Sequence, residues 1–98
     1  MSKFGELIDQ NIPVLLDFYA NWNEQSTSMH PILKDVAAAL GQKGKVIKID
    51  VDKNPAVADK FKIRGVPTFI LFKNGEIVWR QSGGMDVQSM VYRIKPSI

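Results

Sequence analysis

Residues 14–26, Val14-Leu15-Leu16-Asp17-Phe18-Tyr19-Ala20-Asn21-Trp22-Asn23-Glu24-Gln25-Ser26, hold the segment that decides the fold. The run from Val14 to Ala20 is apolar at every position but one, the pattern of a strand covered on both faces. Downstream of Ser26, apolar residues recur at 29, 32, 33, 36, 37 and 40, the spacing of a helix with one buried face that reaches Leu40. Trp22 to Ser26 is therefore a strand-to-helix junction. Asn23 and Ser26 both suit its cap, because either side-chain oxygen can accept one of the free N–H groups of the first turn. Pro31 lies inside the helical pattern and predicts a kink, and Gly41 and Gly44 end it.

Working outward, Phe4, Leu7 and Ile8 predict a short amphipathic helix near residues 3–10, broken by Asn11-Ile12-Pro13. Lys45–Val51 alternates as a strand. Asp52-Lys53-Asn54-Pro55 reads as a cap followed by proline at a first helical position, and Val57, Ala58 and Phe61 mark the short helix it opens. Phe69-Ile70-Leu71-Phe72 is a second buried strand. Asn74-Gly75 is a hairpin signal, returning through Ile77-Val78-Trp79-Arg80. Asp86 caps a last helix with Val87, Met90, Val91 and Ile94 inward, stopped by Pro96. The order α, β, α, β, α, β, β, α predicts an α/β domain over residues 1–98, with parallel strands joined by crossover helices and one antiparallel hairpin.

Composition narrows the chemistry. The chain has 98 residues, 45% hydrophobic and 23% charged, with a net charge of +3 and no cysteine. That balance is ordinary for one soluble globular domain. No basic run tracks a phosphate backbone, so nucleic acid is not an expected partner. Without cysteine there is no disulfide framework, thiolate metal site or thiol nucleophile, and one histidine offers no metal site. No cofactor is expected. The first residues lack the pattern of a secretory signal and no apolar run approaches a membrane span, which points to a cytoplasmic protein without a membrane.

The order and the motifs together resemble the thioredoxin family over nearly the whole chain. Val14 to Trp22 looks like the family's central strand and active-site tryptophan, and Pro31-Ile32-Leu33 falls where its kinked helix carries proline. Lys48-Ile49-Asp50-Val51-Asp52-Lys53-Asn54-Pro55, Arg64-Gly65-Val66-Pro67-Thr68, Phe72-Lys73-Asn74-Gly75 and Gly83-Gly84 match further family segments in order. The resemblance implies a thioredoxin fold, a central mixed sheet of about four strands flanked by about four helices. It also implies that the first edge strand of longer members is missing, which exposes the edge at residues 45–51. Lys45 and Lys48 would discourage pairing there.

At the site the resemblance breaks. The family's motif is Trp-Cys-Gly-Pro-Cys, and here Asn23 and Ser26 stand at the two cysteine positions, with Glu24 and Gln25 between them. Neither side chain can perform thiol–disulfide exchange, which needs a thiolate attacking sulfur. Asp17 lies inside an apolar strand, where desolvation raises a carboxyl pKa. By resemblance it is the buried acid of the family, with Lys48 nearby, left with no thiol to serve and expected to persist as a remnant paired to Lys48 or a water. Pro67 corresponds to the family's cis-proline, whose preceding residue, here Val66, pairs with an extended peptide, with Trp22 and Gly83-Gly84 as walls.

The expected function is thus a redox-inactive relative that binds an extended peptide or partner protein beside Pro67. The alternative is an oxidoreductase whose cysteines were replaced by design, which would have required rewriting four positions. Ser26 as nucleophile with His30 as its base lacks a group to orient the histidine. A third class, catalysis by Ser26 or Thr27 on a thiol-containing ligand held against Pro67, would need a cofactor such as glutathione. Phe18, Phe69, Phe72 and Trp79 read as packing residues, and Lys60, Lys62 and Arg64 as a solvated helix end. The sequence gives no oligomeric state.

Overall fold

A computed structural model describes residues 3–98. Eight main elements follow in order: α1 (Lys3–Ile8), β1 (Val14–Tyr19), α2 (Glu24–Leu40), β2 (Lys45–Asp50), α3 (Pro55–Lys60), β3 (Thr68–Lys73), β4 (Glu76–Ser82) and α4 (Val87–Ile94). Short 3₁₀ turns follow α2 and α4. The strands form one sheet in the order β2-β1-β3-β4. β1 and β2 are parallel, while β3 runs antiparallel to both β1 and β4. The expected mixed sheet of four strands is therefore present, with β2 on one edge and β4 on the other.

Alternation along β1 explains the two layers. Leu15 turns to one face, where it packs with Met29, Leu33, Val36 and Leu40 of α2 and with Met90 and Ile94 of α4. Val14, Leu16 and Phe18 turn to the other face, against Ile8, Ile49, Ile70 and Phe72. Phe61, just after α3, joins this second layer. Its ring centroid lies 5.5 Å from those of Phe4 and Phe72 and 6.1 Å from that of Phe18. Phe18, Phe69 and Phe72 are fully buried and Trp79 is half-buried, the packing roles expected of them.

Local chemistry sets the element ends. Asn74 and Gly75 have φ of 54° and 79°, the left-handed pair that a tight hairpin requires. β4 runs to Ser82, two residues past the expected end, and the Thr68 and Ser82 hydroxyls meet there at 3.1 Å. An irregularity opposite Leu71 and Phe72 leaves Val78 outside the regular register, and Ile77 and Val78 are both exposed on this edge. Pro31 sits inside α2 without ending it. Past its end, a Cβ on Gly44 would stand 3.0 Å from Leu40 Cδ1 and 3.3 Å from the Pro13 carbonyl oxygen. Any larger residue here would press on Leu40 and on the Pro13 carbonyl at the entry to β2.

Candidate functional site

The carboxyl ends of β1 and β2, the start of α2 and the loop before β3 meet at one end of the sheet. Helix α2 begins at Glu24, two residues before Ser26, and Asn23 is its N-cap. Asn23 Oδ1 accepts the Ser26 N–H at 2.7 Å. Of the two candidate caps the structure thus selects Asn23. Ser26 is fully buried and its hydroxyl has no partner among the described residues. Asn23→Ala is expected to lower stability by about 1 kcal/mol, the usual worth of a side-chain N-cap, as read by urea unfolding.

Trp22 is 71% exposed, yet its position is fixed. Its Nε1–H donates to Asp52 Oδ2 at 3.0 Å. Asp52 is itself held by Asp50, whose Oδ1 accepts the N–H groups of Asp52 at 2.9 Å and Lys53 at 3.3 Å. The other oxygen of Asp50 accepts Asn21 Nδ2–H at 3.3 Å. The Asp50 carbonyl takes both the backbone and side-chain N–H groups of Asn54. The expected cap and proline are present, Asn54 as the N-cap of α3 and Pro55 in its first turn, though the Asn54 side chain makes no cap bond. The turn before them is organised by Asp50, which also ties it to the β1–α2 junction. Sequence reading missed this residue, and its single signal is a carboxylate at the last position of a strand.

Asp17 is fully buried on β1, and neither carboxyl oxygen has a hydrogen-bond partner among the described residues. Lys48 is its register partner on β2. Of the two expected partners, Lys48 makes no direct bond and acts on Asp17 as a nearby charge. Burial pushes the Asp17 carboxyl up from 3.8 to about 7, with Lys48 pulling weakly the other way. Burial also lowers the pKa of His30, and Lys48 adds to that effect. His30 packs edge-on against Tyr19, 5.1 Å between centroids, and its Nδ1 is buried without a partner. Since neither Ser26 Oγ nor His30 Nδ1 is bonded, the two do not form a nucleophile–base pair. Thr27 spends its hydroxyl on the Glu24 carbonyl at 3.0 Å. No group of three metal-binding side chains exists among the described residues.

Across from the helix start, the Val66–Pro67 peptide bond is cis. Pro67 is buried, and its carbonyl accepts the Gly83 N–H at 2.9 Å. Gly84 lies against the first turns of α2, where a Cβ would meet Gln25 Nε2 at 3.5 Å and Met29 Sδ at 3.6 Å. Val66 is different: neither its N–H nor its C=O has a partner among the described residues. Beside it opens a groove of about 400 Å³ between Trp22, Asn23, Val51, Ile63, Arg64 and Val66. Trp22 and Val66 are thus brought together, with Asn23 between them. Pro67, next to Val66 in the chain, and Gly83 and Gly84 are not among the lining residues. Val51 and Ile63 are lining residues that sequence reading did not single out, and Arg64, read there as part of a solvated helix end, lines the groove with them.

A family model described as Thioredoxin matches residues 1–96. The chain is 42% identical over 92 residues to Thioredoxin Y1, chloroplastic, of Arabidopsis thaliana, covering 94% of this chain and 54% of that protein. It is 41% identical over 95 residues to the thioredoxin-like protein slr0233 of Synechocystis, covering 96% and 90% of the two chains. It spans little more than half the length of the chloroplastic relatives it matches. Among solved structures, mitochondrial thioredoxin 3 from Saccharomyces cerevisiae in its oxidised form superposes with a TM-score of 0.85 at 31% identity. That superposition covers 96% of this chain and 87% of the yeast one.

Proposed function

This chain belongs to the thioredoxin family and carries none of its cysteines, and from that premise we propose that it is a redox-inactive member that binds an extended peptide or partner protein beside Pro67. The observation that carries the reading is the free backbone of Val66. A donor and an acceptor on one residue, unpartnered and bordering a groove, form half of a strand-pairing unit that an extended chain completes. Trp22, Val51 and Ile63 offer apolar contact to a neighbouring side chain, and the exposed Arg64 offers a cation at the rim. Trp22 is pinned by Asp52, so little side-chain freedom is lost when it is covered.

The test has two parts. Insulin reduction by this chain is expected to stay at the uncatalysed rate; turnover above it would end the reading. A blocked hexapeptide alternating threonine and valine is expected to shift the Val66 amide resonance and the Trp22 indole resonance saturably in ¹⁵N-labelled protein. Trp22→Ala should weaken that binding by about tenfold or more, the usual cost of truncating a central aromatic contact. A peptide that leaves the Val66 amide unmoved at the highest soluble concentration would count against the groove.

A further inference from the structure

β2 is one edge of the sheet, and the side of it that faces β1 is committed. The Lys45 N–H donates to the Pro13 carbonyl at 2.9 Å and the Val51 N–H to the Tyr19 carbonyl at 3.0 Å. Backbone groups of successive residues point to opposite sides of a strand, so residues 45, 47, 49 and 51 face β1. Val46, Lys48 and Asp50 turn outward. Asn54 takes the Asp50 carbonyl, whereas the N–H and C=O groups of Val46 and Lys48 have no partner among the described residues.

Next to this row lies a pocket of about 380 Å³ between β2 and α2. Its walls include His30, Pro31, Ala37 and Val46, and Lys34 and Lys48 stand at its rim. Val46 and Lys48 point to the α2 side of the sheet, so a strand laid along β2 would place alternate side chains over this apolar pocket. Lys34, Lys45 and Lys48 are all exposed. A second copy paired edge to edge would bring Lys45 and Lys48 of both chains onto one seam, where like charges repel. An acidic partner gains from the same lysines.

We propose that the outer edge of β2 and the pocket beside it form a second docking site, which takes an extended acidic segment of another protein as an added strand. Main-chain bonds to Val46 and Lys48 set its register, an apolar side chain fills the pocket, and flanking carboxylates meet Lys34, Lys45 and Lys48. This site is separate from the Val66 groove and stands or falls without it.

The test is an amide-resonance titration with the blocked hexapeptide Glu-Thr-Val-Glu-Glu-Thr, which puts valine and two carboxylates on the pocket face and one carboxylate on the Lys45 face, run beside its counterpart with lysine in place of glutamate. Saturable shifts centred on Val46 and Lys48 are expected for the acidic peptide only, weakening by about tenfold in Lys34→Glu/Lys45→Glu protein. Lys48→Pro removes an outward N–H while leaving the β1 ladder intact, and should abolish binding. If that variant does not fold, the charge-reversal pair carries the test alone. Equal binding of the two peptides, or undiminished binding by the charge-reversed protein, would overturn the proposal. So would a dimer in sedimentation equilibrium that buries Val46 and Lys48. Shifts confined to Val66 would overturn it too, while leaving the first groove standing.

Discussion

Asp17→Asn is expected to raise the free energy of unfolding at pH 8 by about 2 kcal/mol, the reverse of what most buried substitutions do. The sign follows from linkage. Asp17 titrates near 3.8 in the unfolded chain and at about 7 in the folded one. Between these values the folded protein holds a proton that the unfolded chain has released, so stability falls as pH rises through that window. Above about pH 7 the cost is fully present, at about 4 kcal/mol for a shift of this size. Asparagine removes it but leaves an amide where no partner waits, which returns about 1–3 kcal/mol. Near pH 4 the carboxyl is protonated in the fold and the advantage disappears. Urea unfolding at pH 8, 6 and 4 reads all of this. A variant less stable than the parent at pH 8, or one with the parent's pH slope, would refute it.

The second large effect is a gain of activity. Asn23→Cys with Ser26→Cys should raise insulin reduction, with dithiothreitol as reductant, by about two orders of magnitude or more above the parent. A sulfur at residue 23 would occupy the cap position of α2, where the Ser26 N–H now donates to Asn23. The helix N-terminus favours a thiolate there. The second sulfur, one turn on, would enter a buried position. The first thiolate attacks a disulfide sulfur of insulin to form a mixed disulfide, and the second thiol displaces the insulin thiolate as the 23–26 disulfide closes. Dithiothreitol then restores both thiols. A folded double variant that forms its disulfide yet works at the parent's rate would show that Glu24 and Gln25 have altered the site beyond its sulfur.

The architecture was legible because it is written in periodicity. Val14 to Ala20 could only be a covered strand, and Asn74-Gly75 could only turn. Where two residues had equal chemistry, legibility ended. Asn23 and Ser26 both suit a cap, and the choice came from backbone placement, which buries Ser26 and starts α2 at Glu24. The site's scaffolding was not legible at all. Asn21 with Asp50 and Trp22 with Asp52 lie 29 and 30 positions apart, and Arg80 reaches the Phe61 and Lys62 carbonyls from 19 and 18 positions away. Such pairs leave no periodic trace in the chain. Asp17 with Lys48 shows the complementary case: register placed them side by side, but burial kept the carboxyl oxygens unbonded.

The bond from Trp22 to Asp52 also has an optical consequence. The chain has two tryptophans, one standing in water with a fixed indole and the other half-buried against α4. Their emission separates by polarity, the exposed ring at longer wavelength. A ligand that covers Trp22 should shift that component to the blue and shield it from iodide, with Trp79 as an internal reference. The native protein thus carries its own fluorescent gauge of whether the Val66 groove is filled.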